Sequence, residues 1–135
     1  MTRAIPTATN VDHIGWSVPD LDAAVSFCIE VLGGQEILRA GPFSDPAGDW
    51  MSAHFDVDAR ASASLALVRL GATQVVEFIE WNTANRELTW PPNSDVGASH
   101  LAIHVRDIDE AMRYLNEHGC TACGDPLLLE GGPHA

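Results

Sequence analysis

Lysine is absent. All seven cationic residues are Arg, set against 19 Asp+Glu and 6 His, so the 135-residue chain carries a formal net charge of −12 and a pI of about 4.6. Without lysine there is no Schiff-base nucleophile and no phosphate-binding P-loop lysine. So acidic a chain lacks the basic footprint that nucleic acid or an anionic membrane surface requires, and neither partner is expected. No apolar run approaches the roughly 18 residues needed to span a bilayer, and Met1–Asn10 has no signal-peptide core. Three cysteines, Cys28, Cys120 and Cys123, are too few for a disulfide framework, and a reducing cytoplasm is the expected compartment. What remains is 46% hydrophobic, enough for one domain with a proper core.

The chain contains a repeat. Residues 13–27, HIGWSVPDLDAAVSF, align without gaps on residues 100–114, HLAIHVRDIDEAMRY. His13/His100, Val18/Val105, Asp20/Asp107, Asp22/Asp109 and Ala24/Ala111 are identical, and Ile14/Leu101, Leu21/Ile108, Val25/Met112 and Phe27/Tyr114 are conservative. Self-similarity of this density marks two copies of one module.

Each copy reads as a strand followed by a helix. The strands are Val11 to Val18 and Ser99 to Val105. Asp20 and Asp107 occupy N-cap positions, and Leu21, Val25, Cys28, Ile29 and Leu32 follow helical spacing, as do Ile108, Ala111, Met112 and Leu115. Gly33-Gly34 and Gly119 stop the two helices. The rest of the first module reads as strands at Gln35 to Arg39, Trp50 to Val57, Ser62 to Leu70 and Gln74 to Trp81, with a Pro/Gly/Asp-rich loop from Gly41 to Asp49. The expected organisation is a βαβββ module over 11–81, a linker over 82–98 and a second, incomplete module over 99–135. The second copy lacks room for its closing strands, so the chain is expected to be C-terminally truncated; strands supplied by a partner chain are the alternative.

Strand alternation puts Ile14, Trp16 and Val18 on one face and His13, Gly15 and Ser17 on the other. The same split puts Leu101, Ile103 and Val105 opposite His100, Ala102 and His104. The bulky faces seat the helices, and the small, polar faces line a concavity with a histidine at the same place in each copy. In Gln74–Trp81, Glu77 stands among Val75, Val76, Phe78 and Ile79, where a bare carboxylate is costly and must be paired or metal-bound. Glu80, on the opposite face, reads as solvated. Two repeat-related histidines and one carboxylate, His13, His100 and Glu77, form a donor set suited to one divalent ion among Zn, Ni, Mn, Co and Fe. His104 lies about 13 Å along its strand from His100 and suits a pocket role better. His54 and His118 read as surface residues, and His134 falls in the terminal tail. Cys120-Thr-Ala-Cys123 follows a helix instead of opening one, so the setting that activates a redox thiolate is missing. Trp50, Trp81 and Trp90 suit packing first and a substrate wall second.

With these residues in place, the sequence resembles the vicinal oxygen chelate superfamily, which includes glyoxalase I, methylmalonyl-CoA epimerase, extradiol dioxygenases and the bleomycin and fosfomycin resistance proteins. The resemblance covers about residues 9–127 and rests on the order of short motifs: a His-bearing strand start, an Asp-Leu/Ile-Asp helix start, and their repetition. It implies an α+β fold in which two βαβββ modules curl a mixed sheet into a cleft around one divalent metal. It places His13 and His100 on the first-strand ligand of each module and Glu77, in Val-Val-Glu-Phe, on the last-strand ligand of the first. The fourth ligand, usually a Glu that doubles as a base, would fall beyond this chain. Gly41–Met51 and Pro92–Gly97 resemble the epimerase branch more than the glutathione-dependent glyoxalases.

The expected activity is that of a metal-dependent isomerase, epimerase or lyase. It would act on a small substrate with vicinal oxygens, with a carboxylate, Glu77 or the missing fourth ligand, moving a proton and the metal stabilising an enolate. A binding protein that sequesters a cationic antibiotic is the alternative, favoured by the acidity and the tryptophans. An Fe(II) dioxygenase is a third, favoured by two His and one carboxylate but disfavoured by a carboxylate in the first module. Relatives of this type commonly pair, so a homodimer is expected.

Overall fold

The computed structural model describes residues 5–128. It divides into two compact units, Met1–Trp90 and Pro91–Ala135. The first unit contains β1 (Ile14–Ser17), α1 (Leu21–Glu30), β2 (Gln35–Ser44), α2 (Trp50–Phe55), β3 (Ser62–Leu70) and β4 (Gln74–Asn82); the second contains α3 (Ile108–Glu117). Four strands form one mixed sheet in the order β1-β4-β3-β2. β1 runs parallel to β4, and the other pairs are antiparallel. The class is α+β, as the sequence predicts.

Helix α1 starts where Asp20 leaves the extended region and its carboxylate accepts the Ala23 amide. Its apolar positions Leu21, Val25 and Cys28 are buried against Val18, Ala66, Val68, Val76 and Phe78, with Trp16, Ala24, Leu32 and Leu70 around the edge. This is the core. Each fully buried aliphatic side chain in it contributes about 1.5–3 kcal/mol relative to exposure. Burial also pushes the Cys28 thiol pKa up, which keeps that thiol protonated and inert. Glu80, read from the sequence as solvated, instead accepts the Leu21 amide at 2.8 Å. It thereby satisfies an orphan donor and places a negative charge at the positive end of the α1 dipole.

Three expected elements differ. Trp50 to Val57 is not a strand: Trp50–Phe55 is helix α2. Asp45 prepares it by accepting the Gly48 and Trp50 amides. Spacing decides the rest, since Trp50/His54 and Met51/Phe55 are i,i+4 pairs, which meet on a helix and not on a strand. Met51 is fully buried, and Trp50 and His54 lie ring on ring at 5.2 Å. Strand β2 continues to Ser44 through the expected loop, broken by a bulge between Ala40 and Phe43. Gly41 makes this possible, with φ +106 and a position where a Cβ would lie 2.7 Å from the Ala63 carbonyl oxygen.

Ser99 to Val105 is the third difference, for it is not in a strand. A strand needs a neighbour to take its ladder hydrogen bonds, and among the described residues of Pro91–Ala135 there is none. Helix α3 forms as expected, with Asp107 accepting the Glu110 amide. Its Ile108, Met112 and Leu115 repeat Leu21, Val25 and Cys28 of α1, yet none of its residues is buried. Among the described residues no helix is long and apolar enough to cross a membrane.

Candidate functional site

In the register of the sheet, Gly15 of β1 stands opposite Glu77 of β4, which in turn stands opposite Leu67 of β3. Val76 and Phe78 point into the α1 core, so alternation sends Glu77 to the other face of the sheet, together with Val75, Ile79 and Trp81. The Glu77 side chain is only 18% exposed. Its room comes from Gly15: a Cβ there would lie 3.3 Å from Glu77 Oε2, so the missing side chain is the space the carboxylate occupies.

His13 immediately precedes β1, and its Nε2 lies 3.5 Å from Glu77 Oε2. Its other ring nitrogen, Nδ1, lies 2.8 Å from Asp12 Oδ2. An ionised carboxylate only accepts hydrogen bonds, so Nδ1 carries the proton in that contact and Nε2 is the atom turned to Glu77. A bare Nε2 lone pair and a carboxylate oxygen repel at this distance unless a proton or a cation stands between them. Two ligands of one ion, each about 2.0–2.2 Å away at tetrahedral or octahedral angles, lie about 3–3.5 Å apart. The His13–Glu77 spacing is one that two adjacent ligands of a divalent cation would have, and the Asp12 contact holds the imidazole in orientation.

The structure thus brings His13 and Glu77 together. His100 belongs to Pro91–Ala135, where it is exposed and outside any strand, as is His104. Among the described residues no group of three or more His, Cys, Asp and Glu stands ready to hold a metal ion. His54 and His118 are exposed and bond the carbonyl oxygens of Trp50 and Tyr114, which fits surface roles. His134 lies outside the described residues. Cys120 is half-buried and Cys123 exposed, both as free thiols.

Beyond the Glu77 row, the same face ends in an aromatic wall. Phe55 of α2 meets Trp81 edge-to-face at 5.6 Å and Phe43 at 6.2 Å, and Trp50 packs on Phe43 and Phe55. The Trp81 indole Nε1–H donates to Ser17 Oγ at 3.2 Å, which fixes the ring over β1. Sequence reasoning finds Trp81 but not its anchor, puts Gly15 on the right face without its close approach to Glu77, and overlooks Asp12. For both, the signal is adjacency: Asp12 precedes a candidate ligand, and a glycine inside a strand marks a close approach.

The sequence profile of the Glyoxalase/Bleomycin resistance protein/Dioxygenase superfamily matches residues 12–130. A 2-epi-5-epi-valiolone epimerase from Actinomyces sp is 44% identical over 134 residues, which are 98% of this chain and 72% of that protein. Among solved structures, a glyoxalase family protein from Bacillus cereus is similar with a TM-score of 0.64 and 22% identity, over 94% of this chain and 85% of that one. A genomically encoded fosfomycin resistance protein from Listeria monocytogenes, complexed with Mn(II) and sulfate, gives 0.50 and 16% identity over 84% and 74% of the two chains. At such identities the likeness to the two solved structures is one of fold.

Proposed function

Because the chain belongs to the glyoxalase/bleomycin resistance protein/dioxygenase superfamily, we propose that it is an epimerase of that superfamily with a divalent ion at His13 and Glu77. Its substrate is a small molecule with neighbouring oxygens, in the class of hydroxylated cyclic ketones to which a valiolone belongs. The observation that carries this reading is the His13 Nε2–Glu77 Oε2 pair at 3.5 Å, set over Gly15 and oriented from behind by Asp12. The named relative supports epimerisation over the antibiotic-binding and dioxygenase alternatives.

Epimerisation beside a carbonyl removes a proton from one face of a carbon and returns one to the other face, with no net oxidation. When bound, the divalent ion supplies Lewis acidity to the substrate oxygens and so acidifies that carbon. Glu77 is the only carboxylate that β3 and β4 place on this face, and it has Leu67, Val75 and Ile79 beside it. It is the group that takes up the proton. The apolar neighbours limit water around it, and His13 faces Oε2 and keeps the carboxylate turned along the sheet.

The test has two measurements: metal content of the purified protein, and exchange of the substrate C–H with solvent deuterium followed by NMR. About one divalent metal per chain, lost in His13→Ala and Glu77→Ala together with exchange, is the expected result. Exchange that survives Glu77→Ala and His13→Ala would overturn the reading. A homodimer is part of the same proposal, since β1 and β2 are both sheet edges open to pairing. A monomer in sedimentation equilibrium would remove it.

A further inference from the structure

A recess of about 340 Å³ lies in the first unit, lined by Ser17, Pro19, Trp81, Arg86, Thr89 and Trp90 among others. That volume is at the small end of ligand pockets, which suits a single ring. Ser17 is the next residue after Gly15 on the Glu77 face of β1, so the recess opens from the same face as the His13–Glu77 pair.

Its walls are held before any ligand arrives. Trp81 is fixed from one side by Ser17 and from the other by Phe55. Glu87 accepts the Leu88 and Thr89 amides and the Thr89 hydroxyl, which sets the turn leading into Trp90. Trp90 is 60% exposed, a large indole surface with little covering it. Arg86 is half-buried and donates at 3.4 Å to the Pro19 carbonyl. Among the described residues no carboxylate pairs with it, although the chain has 19 acids for seven arginines. Arg39, by contrast, is tied to both Asp22 and Glu36. An unpaired guanidinium in the same lining as two indoles offers several donors to oxygen, and the indoles offer faces to C–H groups.

We propose that this recess is a ring-binding subsite for a neutral hydroxylated carbocycle, with the indoles of Trp81 and Trp90 against its C–H face and Arg86 donating to a ring oxygen. The inference rests on the epimerase reading for its place in the reaction, but its ligand chemistry is readable without the metal. Arg86 and Glu87 both line the recess, so its charges of opposite sign favour neither a cation nor an anion, and with aromatic walls the lining suits a neutral hydroxylated ring.

The experiment is a titration of the chelator-treated full chain with myo-inositol, with scyllo-inosose as the ketone counterpart and with inorganic phosphate, followed through the four indole N–H signals in ¹⁵N NMR. Saturable shifts of Trp81 and Trp90 with the two rings, while Trp16 and Trp50 stay in place, are expected. Arg86→Gln should weaken ring binding about tenfold, the loss of one charge-assisted hydrogen bond. Arg69→Gln, at the end of β3 away from Trp81, should leave it within about twofold. Trp90→Ala, checked for an unchanged fold by its remaining indole signals, should weaken it as well. No saturable shift with either ring, ring affinity unchanged in Arg86→Gln, or saturation by phosphate alone would overturn the subsite. Because metal is absent throughout, failure here is separate from failure of the metal and exchange tests above.

Discussion

His13 Nε2 and Glu77 Oε2 face each other at 3.5 Å, while Asp12 holds the other nitrogen of the same imidazole at 2.8 Å. The three side chains form a line from solvent to the sheet, with exposure falling from 89% at Asp12 through 37% at His13 to 18% at Glu77. An outer carboxylate, an imidazole and an inner carboxylate so ordered fix the direction in which the His13 ring presents Nε2.

Asp12→Ala should therefore loosen metal binding without abolishing it. Loss of an outer-shell partner typically costs about 10–100-fold in metal affinity, and the exposure of Asp12 puts this case near the lower figure. Asp12→Asn retains an acceptor oxygen and should recover most of the loss. Competition with a chromophoric chelator measures all three proteins, and equal affinity in Asp12→Ala and the parent would show that the contact does not orient His13.

Gly15→Ala tests the clearance. The added Cβ would lie 3.3 Å from Glu77 Oε2, so the carboxylate must move by a few tenths of an ångström. Alanine is otherwise suited to a strand, and the fold should persist with unchanged circular dichroism. The expected result is a selective fall in metal affinity at near-constant melting temperature. A large loss of stability would instead mean that Gly15 serves the backbone.

The first module was legible because its signals are local: aspartate caps, the 3.6-residue spacing of Leu21, Val25 and Cys28, and alternation in β3 and β4. Trp50–Phe55 reads as a strand because six residues show too little period to separate strand from helix, and Asp45, which sets its start, lies five residues upstream. Glu80 was misread for a different reason. Its partner, the Leu21 amide, is 59 residues away and follows only from the parallel pairing of β1 and β4. The strand at Ser99–Val105 shows the limit of a repeat argument. Sequence can duplicate a strand's side-chain pattern, but hydrogen bonds to a neighbour are what make it a strand.

Acid should act late on the two loops whose carboxylates are held by backbone amides, after the ordinary carboxylates have titrated. Asp45 is held below the usual carboxylate range chiefly by the Trp50 and then the Gly48 amide, and Glu87 chiefly by the Thr89 amide and hydroxyl. A depressed folded-state pKa contributes stability that is present above the ordinary carboxylate pKa and is lost as pH falls through the lowered value. The amide signals of Gly48, Trp50 and Thr89 should therefore move together below the ordinary carboxylate range and stay flat above it. Asp45 is half-buried and Glu87 exposed, and each accepts from amides within its own turn, so the effect is local and global unfolding should not accompany it. Titration of these amides near neutral pH would contradict the assignment.

Met51→Ala probes whether α2 is part of the folded framework or an ornament on it. Met51 has no exposed surface, and it sits beneath a helix whose Trp50 and Phe55 join Phe43 and Trp81. Truncating a fully buried methionine removes its transfer energy and leaves a cavity, at a cost of about 2–5 kcal/mol. The same change should release the aromatic wall, because Phe55 loses the turn that presses it on Trp81. Urea unfolding gives the first number, and the Trp81 indole N–H signal gives the second. A loss under about 1 kcal/mol with an unmoved Trp81 signal would mean that α2 folds onto the sheet without holding it, since surface positions rarely exceed half that value. A loss in the full range with a shifted Trp81 would tie the short helix to the recess beside it.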